Sequence, residues 1–247
     1  MLSFFKKKVD VKTEPTFNYG SIVVDMHSHV LPGIDDGAQN PQESVQLIKR
    51  MMALGIKKVI ATPHIMVDYY RNTSETINAA LAILKEELIK EQIDIVVEAA
   101  AEHYFDETFE TLVDEDKLMI MGDNYVLFEF SFISTPPNLT EVVQKLLSKK
   151  YKPILAHPER YSYMSIEQLK KLRDWGVSLQ INTISLTGYY GKDTKKMAET
   201  LIDMQMVDFI GSDMHHLKHA DALKQALNVP YLEKILFDYP LKNIMLQ

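Results

Sequence analysis

The sequence predicts an α/β fold in which parallel strands alternate with helices around a closed or nearly closed barrel, and three observations lead there. Seven short apolar runs recur along the chain, most of them separated by stretches with helical spacing. Such alternation implies parallel pairing and right-handed crossovers. The runs are apolar on both faces, as expected of strands covered on each side. Neither G-x-G-x-x-G nor G-x-x-x-x-G-K-[ST] follows any run, which counts against the alternative, a doubly wound open sheet.

Residues 1–20 hold Lys6, Lys7, Lys8, Glu14, Pro15 and Gly20 without periodicity and read as an N-terminal tail. Residues 21–247 read as a single domain, with no internal repeat and no linker that would divide it. Ile22-Val23-Val24 forms the first strand and ends in Asp25-Met26-His27. Asn40 and Pro41 are an N-cap and first helical position, and Gly55 is the stop of the helix that runs to about Leu54. Lys58 to Ala61 is the second strand, followed by a helix from about Thr73 to Lys90 with Ile77, Leu81, Leu84 and Leu88 on one face. Further strands are expected at Ile93–Ala101, Tyr125–Phe130, Pro153–Ala156, Val177–Ile181 and Phe209–Gly211. Helices are expected near Leu139–Ser148, Ser165–Trp175 and Thr194–Met204.

Composition removes whole classes of function. No run of 18 apolar residues exists, so no helix is expected to cross a bilayer. The 27 Lys+Arg against 34 Asp+Glu give a net charge of −7, which argues against nucleic acid or anionic lipid as a partner. Zero cysteines exclude disulfides, thiolate zinc sites, iron–sulfur clusters and cysteine nucleophiles. Met1 to Phe5 precede the lysine cluster, the reverse of a signal peptide, so a cytoplasmic chain is expected.

The informative pattern lies at the strand ends. His27 and His29 end the first strand, His64 the second, Glu102 the third, Glu129 the fourth, His157 the fifth, and Asp213 and His215 the seventh. In a parallel barrel these ends converge on one mouth. Residues two apart share a strand face, so His27 and His29 project together. A lone His64 or His157 has a plain structural reading, yet Glu102 and Glu129 stand in apolar surroundings where an unpartnered carboxylate costs several kcal/mol. With Asp36 in the first loop, the set is five histidines and four carboxylates, too many for one ion and suited to a cluster of two or three. Manganese, zinc or iron suits such a mixed shell.

The residues that carry this pattern also carry a resemblance. D-M-H-S-H-V-L-P-G-I-D-D-G-A (25–38), A-T-P-H (61–64), A-E-H-Y (101–104), L-F-E-F-S (127–131), A-H-P-E-R-Y (156–161) and S-D-M-H (212–215) resemble the polymerase and histidinol phosphatase (PHP) family. Within it they are similar to the CpsB/CapC-type manganese-dependent protein tyrosine phosphatases of bacterial capsule and exopolysaccharide loci. The resemblance implies a distorted seven-stranded (β/α)7 TIM-like barrel of PHP type. It implies a centre with manganese, or iron, zinc, cobalt or magnesium in its place, on His27, His29, Asp36, His64, Glu102, Glu129, His157, Asp213 and His215, with Glu102 bridging two ions. It further implies that Arg160 holds substrate phosphate and acts in catalysis together with Asp213 and Glu102. The partner implied is a phosphotyrosine protein, in particular a bacterial tyrosine kinase that controls polysaccharide export.

One departure matters. Related phosphatases carry a second arginine after S-D-M-H, where this chain reads His216-Leu217-Lys218-His219-Ala220, so Lys218 or His219 is the substitute cation. Lysine brings a point charge without the bidentate fork. Tyr70, with Tyr69, Tyr161, Tyr163, Tyr189 and Tyr190, is a candidate to stack on a phosphotyrosine ring, although wall packing is the reading favoured for most of them. The mechanism expected is attack on phosphorus by water activated at the ions. The alternatives are a histidinol-phosphatase-like phosphoesterase, an amidohydrolase and a non-enzymatic metal-binding protein. Amidohydrolases place a modified lysine where Glu129 stands, which counts against the second.

Overall fold

The structure is a computed structural model that describes residues 16–247. Of the predicted tail, residues 1–15 lie outside the described residues. Residues 16–20 pack on the body: Asn18 caps a short 3-10 turn at Tyr19–Ser21, and the buried Tyr19 hydroxyl donates to the Leu223 carbonyl at 2.8 Å.

Among the described residues, nine strand segments pair in parallel throughout. They are β1 (Val24–Asp25), β2 (Lys58–Ala61), β3 (His64–Ile65), β4 (Val96–Ala99), β5 (Glu102–Tyr104), β6 (Tyr125–Glu129), β7 (Lys152–Ala156), β8 (Ser178–Asn182) and β9 (Phe209–Gly211). They form two sheets, β1-β2-β4 and β3-β5-β6-β7-β8-β9. Two expected strands are thereby corrected. The run Ile93–Ala101 is a strand only over β4, and the chain re-enters pairing at β5, past the predicted end; the second strand likewise resumes as β3. Ala61 pairs with Ala99 and His64 with Glu102, so the register survives the break and both strands bend together. β4 is also an edge strand with Val96 and Glu98 exposed, an exception to the expectation of coverage on both faces. Beyond β1 and β9 the chain links the first and last strands, Asp213 N–H donating to the His27 carbonyl and His29 N–H to that of Met214.

The helices follow local sequence logic. α1 (Pro41–Ala53) starts at Asn40, whose side chain accepts from Glu43 N–H, and ends before Gly55 at φ 101°. α2 (Ser74–Lys90) starts with a reciprocal Thr73–Thr76 cap. α4 (Leu139–Ser148), α5 (Ile166–Asp174) and α6 (Lys192–Asp203) lie within two residues of expectation. α3 (Glu107–Asp114), α7 (Leu217–Ala226) and α8 (Pro230–Asp238) are further helices beyond those expected, each beside the site motifs or the chain end.

The strand period of two divides the core. Val24, Ile60, Leu127, Ile154, Ala156 and Phe209 face inward in a compact cluster, while Val59, Val126, Phe128, Leu155, Leu179 and Ile210 pack outward under the helices. Asn243 pins the C-terminal turn below this interior, exchanging hydrogen bonds with Ile210 and donating to the Val24 carbonyl.

Candidate metal centre

The same alternation aims the site. Glu129 lies on the inward face of β6 with Tyr125 and Leu127, one step beyond the apolar interior. His27 and His29 follow β1, His64 opens β3, Glu102 opens β5, His157 follows β7, and Asp213 and His215 follow β9. Two of these residues hold left-handed backbone, His157 at φ 33° and Asp213 at φ 52°, so strain is stored where side chains must turn into the mouth.

All nine side chains named from the sequence meet there. Glu102 Oε2 lies 3.2 Å from His27 Nε2, 3.4 Å from His29 Nε2 and 3.3 Å from His64 Nδ1, while Glu102 Oε1 lies 2.9 Å from His157 Nε2. Glu129 Oε1 is 3.1 Å from His64 Nδ1. Asp213 Oδ1 is 3.4 Å from His27 Nε2 and 3.4 Å from His215 Nδ1, and Asp36 Oδ1 is 3.5 and 3.4 Å from Nε2 of His64 and His215. Two atoms bound to one ion about 2.1 Å away stand roughly 3.0 Å apart at octahedral angles and roughly 3.4 Å at tetrahedral ones, so these spacings are compatible with ligands that share a cation.

Among the described residues, four overlapping groups could hold an ion: His29–Asp36–His64–His215, His27–His29–Asp213, His27–Glu102–His157 and His64–Glu102–Glu129. Glu102 belongs to two of them. The donor set also fits a cation chemically. Glu102 Oε2, ringed by three imidazole nitrogens, and His64 Nδ1 are buried with no hydrogen-bond partner, and a cation would satisfy both.

The electrostatics point the same way. Burial alone would lower the pKa of His27, but the Glu102 and Asp213 carboxylates override it and lift it to about 10. For His215, burial is again overridden, by Asp213 and Asp36, to about 9. Burial would raise Glu102, yet His27, His64 and His157 hold it well below the usual carboxylate range. Asp36 reaches about 2, the imidazoles of His215, His64 and His29 outweighing its burial. Asp36, Glu102 and Asp213, each held below its ordinary range by neighbouring imidazoles, are thus ionised and acceptor-only.

The mouth opens into a recess of about 570 Å³ lined by Arg160, Tyr70, Tyr190 and Phe132 among others. Arg160 lies between two rings, its Cζ 4.6 Å from the Phe132 centroid and 4.4 Å from that of Tyr190, and donates to Asp213 Oδ2 at 3.2 Å. Tyr70 stacks on His64 at 5.4 Å and 14°. Lys218 does not line this recess; it lines an adjoining one with Asp36, Glu43 and Gln46, whereas His219 does line the first. Tyr161 is buried, its hydroxyl accepting from Phe130 N–H, and Tyr163 donates to the Ser131 carbonyl, so both are wall residues. His103 is structural too, bonded to the Leu127 carbonyl and to Met119 N–H.

Sequence reasoning missed the residues behind the site. Asp35, beside the predicted Asp36, is buried and accepts from His29 Nδ1 at 2.8 Å and from Gly37 N–H. Gly37 is required there, since a Cβ would stand 1.9 Å from the His29 carbonyl oxygen. Glu159 accepts from Asn182 N–H and Ser185 Oγ–H, tying the turn that carries Arg160 to β8. Gln180 Oε1 lies 2.8 Å from His27 Nδ1. The available signal was the alternation Ser178-Leu-Gln-Ile-Asn182, which sets polar groups on the inward face of an otherwise apolar strand.

Parallel α/β chains that gather imidazoles and carboxylates at the carboxyl ends of their strands define a class of metal-dependent hydrolases. Within that class, residues 23–244 match the family described as "Capsular polysaccharide synthesis, CpsB/CapC", and the chain belongs to it. It is 32% identical over 199 residues to tyrosine-protein phosphatase YwqE of Bacillus subtilis, covering 79% of this chain and 78% of that one. To the putative tyrosine-protein phosphatase CapC of Staphylococcus aureus it is 28% identical over 219 residues, covering 87% and 82%. It also resembles a solved structure from work on Bacillus subtilis YwqE and Streptococcus pneumoniae CpsB, described as unique metal-dependent tyrosine phosphatases. That likeness has a TM-score of 0.79 at 31% identity and covers 85% of this chain and 86% of the other.

Proposed function

We propose that this protein is a metal-dependent protein tyrosine phosphatase that acts on a phosphotyrosine protein, in particular a bacterial tyrosine kinase that controls capsule or exopolysaccharide synthesis. The observation that carries this reading is the convergence of nine potential ligands around Glu102 beside a guanidinium. The relatives' names add the substrate class. His27, His29, Asp36, His64, Glu102, Glu129, His157, Asp213 and His215 would hold two or three divalent ions, manganese being the proposed metal. The nine strand segments are read as seven stations of a distorted barrel, with β2 continuing into β3 and β4 into β5. Residues 21–247 form the catalytic unit, and the cytoplasm is the proposed setting; no helix among the described residues is long and apolar enough to cross a membrane.

When bound, the ions supply Lewis acidity toward water and the phosphate oxygens. Three divalent ions against four carboxylates leave a formal charge of about +2, which matches a phosphate monoester of roughly −1.5 to −2. The chain supplies the rest. Arg160 presents its guanidinium to the equatorial phosphate oxygens, held in plane by Phe132 and Tyr190 and oriented by Asp213. Phe132 and Tyr70 offer the recess aromatic walls for the phenyl ring. A phenol with a pKa of about 10 leaves with less protonation than an alcohol requires, so tyrosine phosphate makes the smaller demand on a general acid.

The test is to assay the manganese-loaded protein against a phosphotyrosine peptide, histidinol phosphate and a panel of amides. Phosphate release chiefly from the peptide is expected. No release from any phosphoester, with ions confirmed bound, overturns the proposal.

A further inference from the structure

β8 brings no proposed ligand to the mouth, yet its inward face is polar and fully buried at Gln180 and Asn182. Burying two amides is costly unless every group is paired, and here they are paired in series. His27 Nδ1 lies 2.8 Å from Gln180 Oε1; Gln180 Nε2 donates to Asn182 Oδ1 at 3.0 Å; Asn182 Nδ2 donates to Asp213 Oδ2 at 2.6 Å. Asp213 Oδ1 in turn lies 3.4 Å from His27 Nε2, so four side chains close a ring.

The direction of this ring follows from one group. An ionised carboxylate only accepts, so Asn182 must turn its NH2 to Asp213 and its oxygen to Gln180. Gln180 must then offer its NH2 to Asn182 and its oxygen to His27. His27 Nδ1 must therefore carry hydrogen, which leaves Nε2 as the atom free to ligate. Backbone space is reserved for this arrangement: a Cβ on Gly211 would stand 2.6 Å from His27 Cβ and 3.1 Å from Gln180 Nε2. The neighbouring His29 is set differently, its Nδ1 facing the charged Asp35. The two imidazoles of the H-x-H pair thus have a neutral and an anionic partner.

We infer that Gln180 and Asn182 are positioning residues, a neutral amide relay that fixes the His27 tautomer from the charge of Asp213 and aims Nε2 and Oδ1 at a common cation. The inference rests on the metal-site part of the proposed function and not on the identity of the substrate. Partners of this kind set ligand orientation, and losing one typically costs about ten- to a hundredfold in metal affinity.

The direct test needs no variant. In zinc-loaded protein, long-range proton–nitrogen NMR of the imidazoles should show His27 protonated at Nδ1 and ligating through Nε2; hydrogen on Nε2 would overturn the relay. The second test compares Gln180→Leu and Gln180→Glu by metal content and zinc affinity. Leucine should weaken zinc about ten- to a hundredfold and loosen the tautomer. Glutamate restores an acceptor for His27 but forces Asn182 to turn its oxygen toward Asp213, so it should disturb the Asp213 side while His27 stays Nδ1-protonated. Wild-type affinity in Gln180→Leu would also overturn the inference. A wild-type protein with the expected tautomer and no phosphatase activity would defeat the functional reading and leave the relay standing.

Discussion

Arg160 is the residue on which substrate chemistry turns. Its guanidinium is stacked between Phe132 and Tyr190 and anchored on Asp213, but no proposed ligand atom belongs to it. Arg160→Ala should therefore cut phosphoester turnover about a hundredfold while bound metal is retained, measured by kinetics alongside elemental analysis; loss of metal in step with turnover would contradict the clamp role. Arg160→Lys should recover little, because an ammonium offers neither the stacked plane nor the fork. His157→Ala should behave differently, since His157 Nε2 sits 2.9 Å from Glu102 and its removal opens the shared cluster. Metal content and turnover should fall together. Unchanged metal and rate would remove His157 from the site.

At the scale of elements, strand ends position the chemistry and glycines make room for it. Gly211→Ala puts a methyl group against His27 Cβ at 2.6 Å inside the rigid interior. Overpacking of this kind costs about 1–3 kcal/mol, read as a lowered Tm, and should also lower metal affinity by displacing His27; a wild-type Tm and metal content would show that the interior yields there. The strand ends were legible in the sequence because imidazoles and carboxylates interrupt long apolar runs, as at Glu102 and Glu129. The bend that splits Ile93–Ala101 was not legible, because Ala100 and Ala101 are as apolar as strand residues and only pairing partners reveal where the ladder changes sheet. The alternation along β8 marks Gln180 and Asn182 as inward-facing, but their roles, like that of Asp35, depend on which imidazole or carboxylate they meet, a contact between distant segments that no spacing encodes. Lys218, read as a substitute phosphate cation, lines the adjoining recess because it lies one residue into α7, past the turn that aims His215 at the mouth.

For the molecule as a whole, a net charge of −7 coexists with a site built to hold concentrated positive charge. Without ions that charge comes from protons. His27 and His215 keep theirs to about pH 10 and about pH 9, above the roughly 6.5 of an unfolded histidine. Between these values the folded chain binds more protons than the unfolded one, so stability from these pairs is full below about pH 6.5 and declines as pH rises through the folded pKa values. The metal-free protein should accordingly show a lower Tm at pH 9 than at pH 7, and saturating manganese should largely abolish the difference; a Tm that rises over this range without metal would contradict the charge arrangement. The proposed polynuclear centre draws nine side chains from six strand ends and the loop after the first of them. An anomalous-scattering map from crystals grown with manganese tests it most directly. Two or three peaks clustered among His27, His64, Glu102, His157 and Asp213, with one pair straddling Glu102, are predicted; density elsewhere, or none among these residues at saturating manganese, would contradict the account.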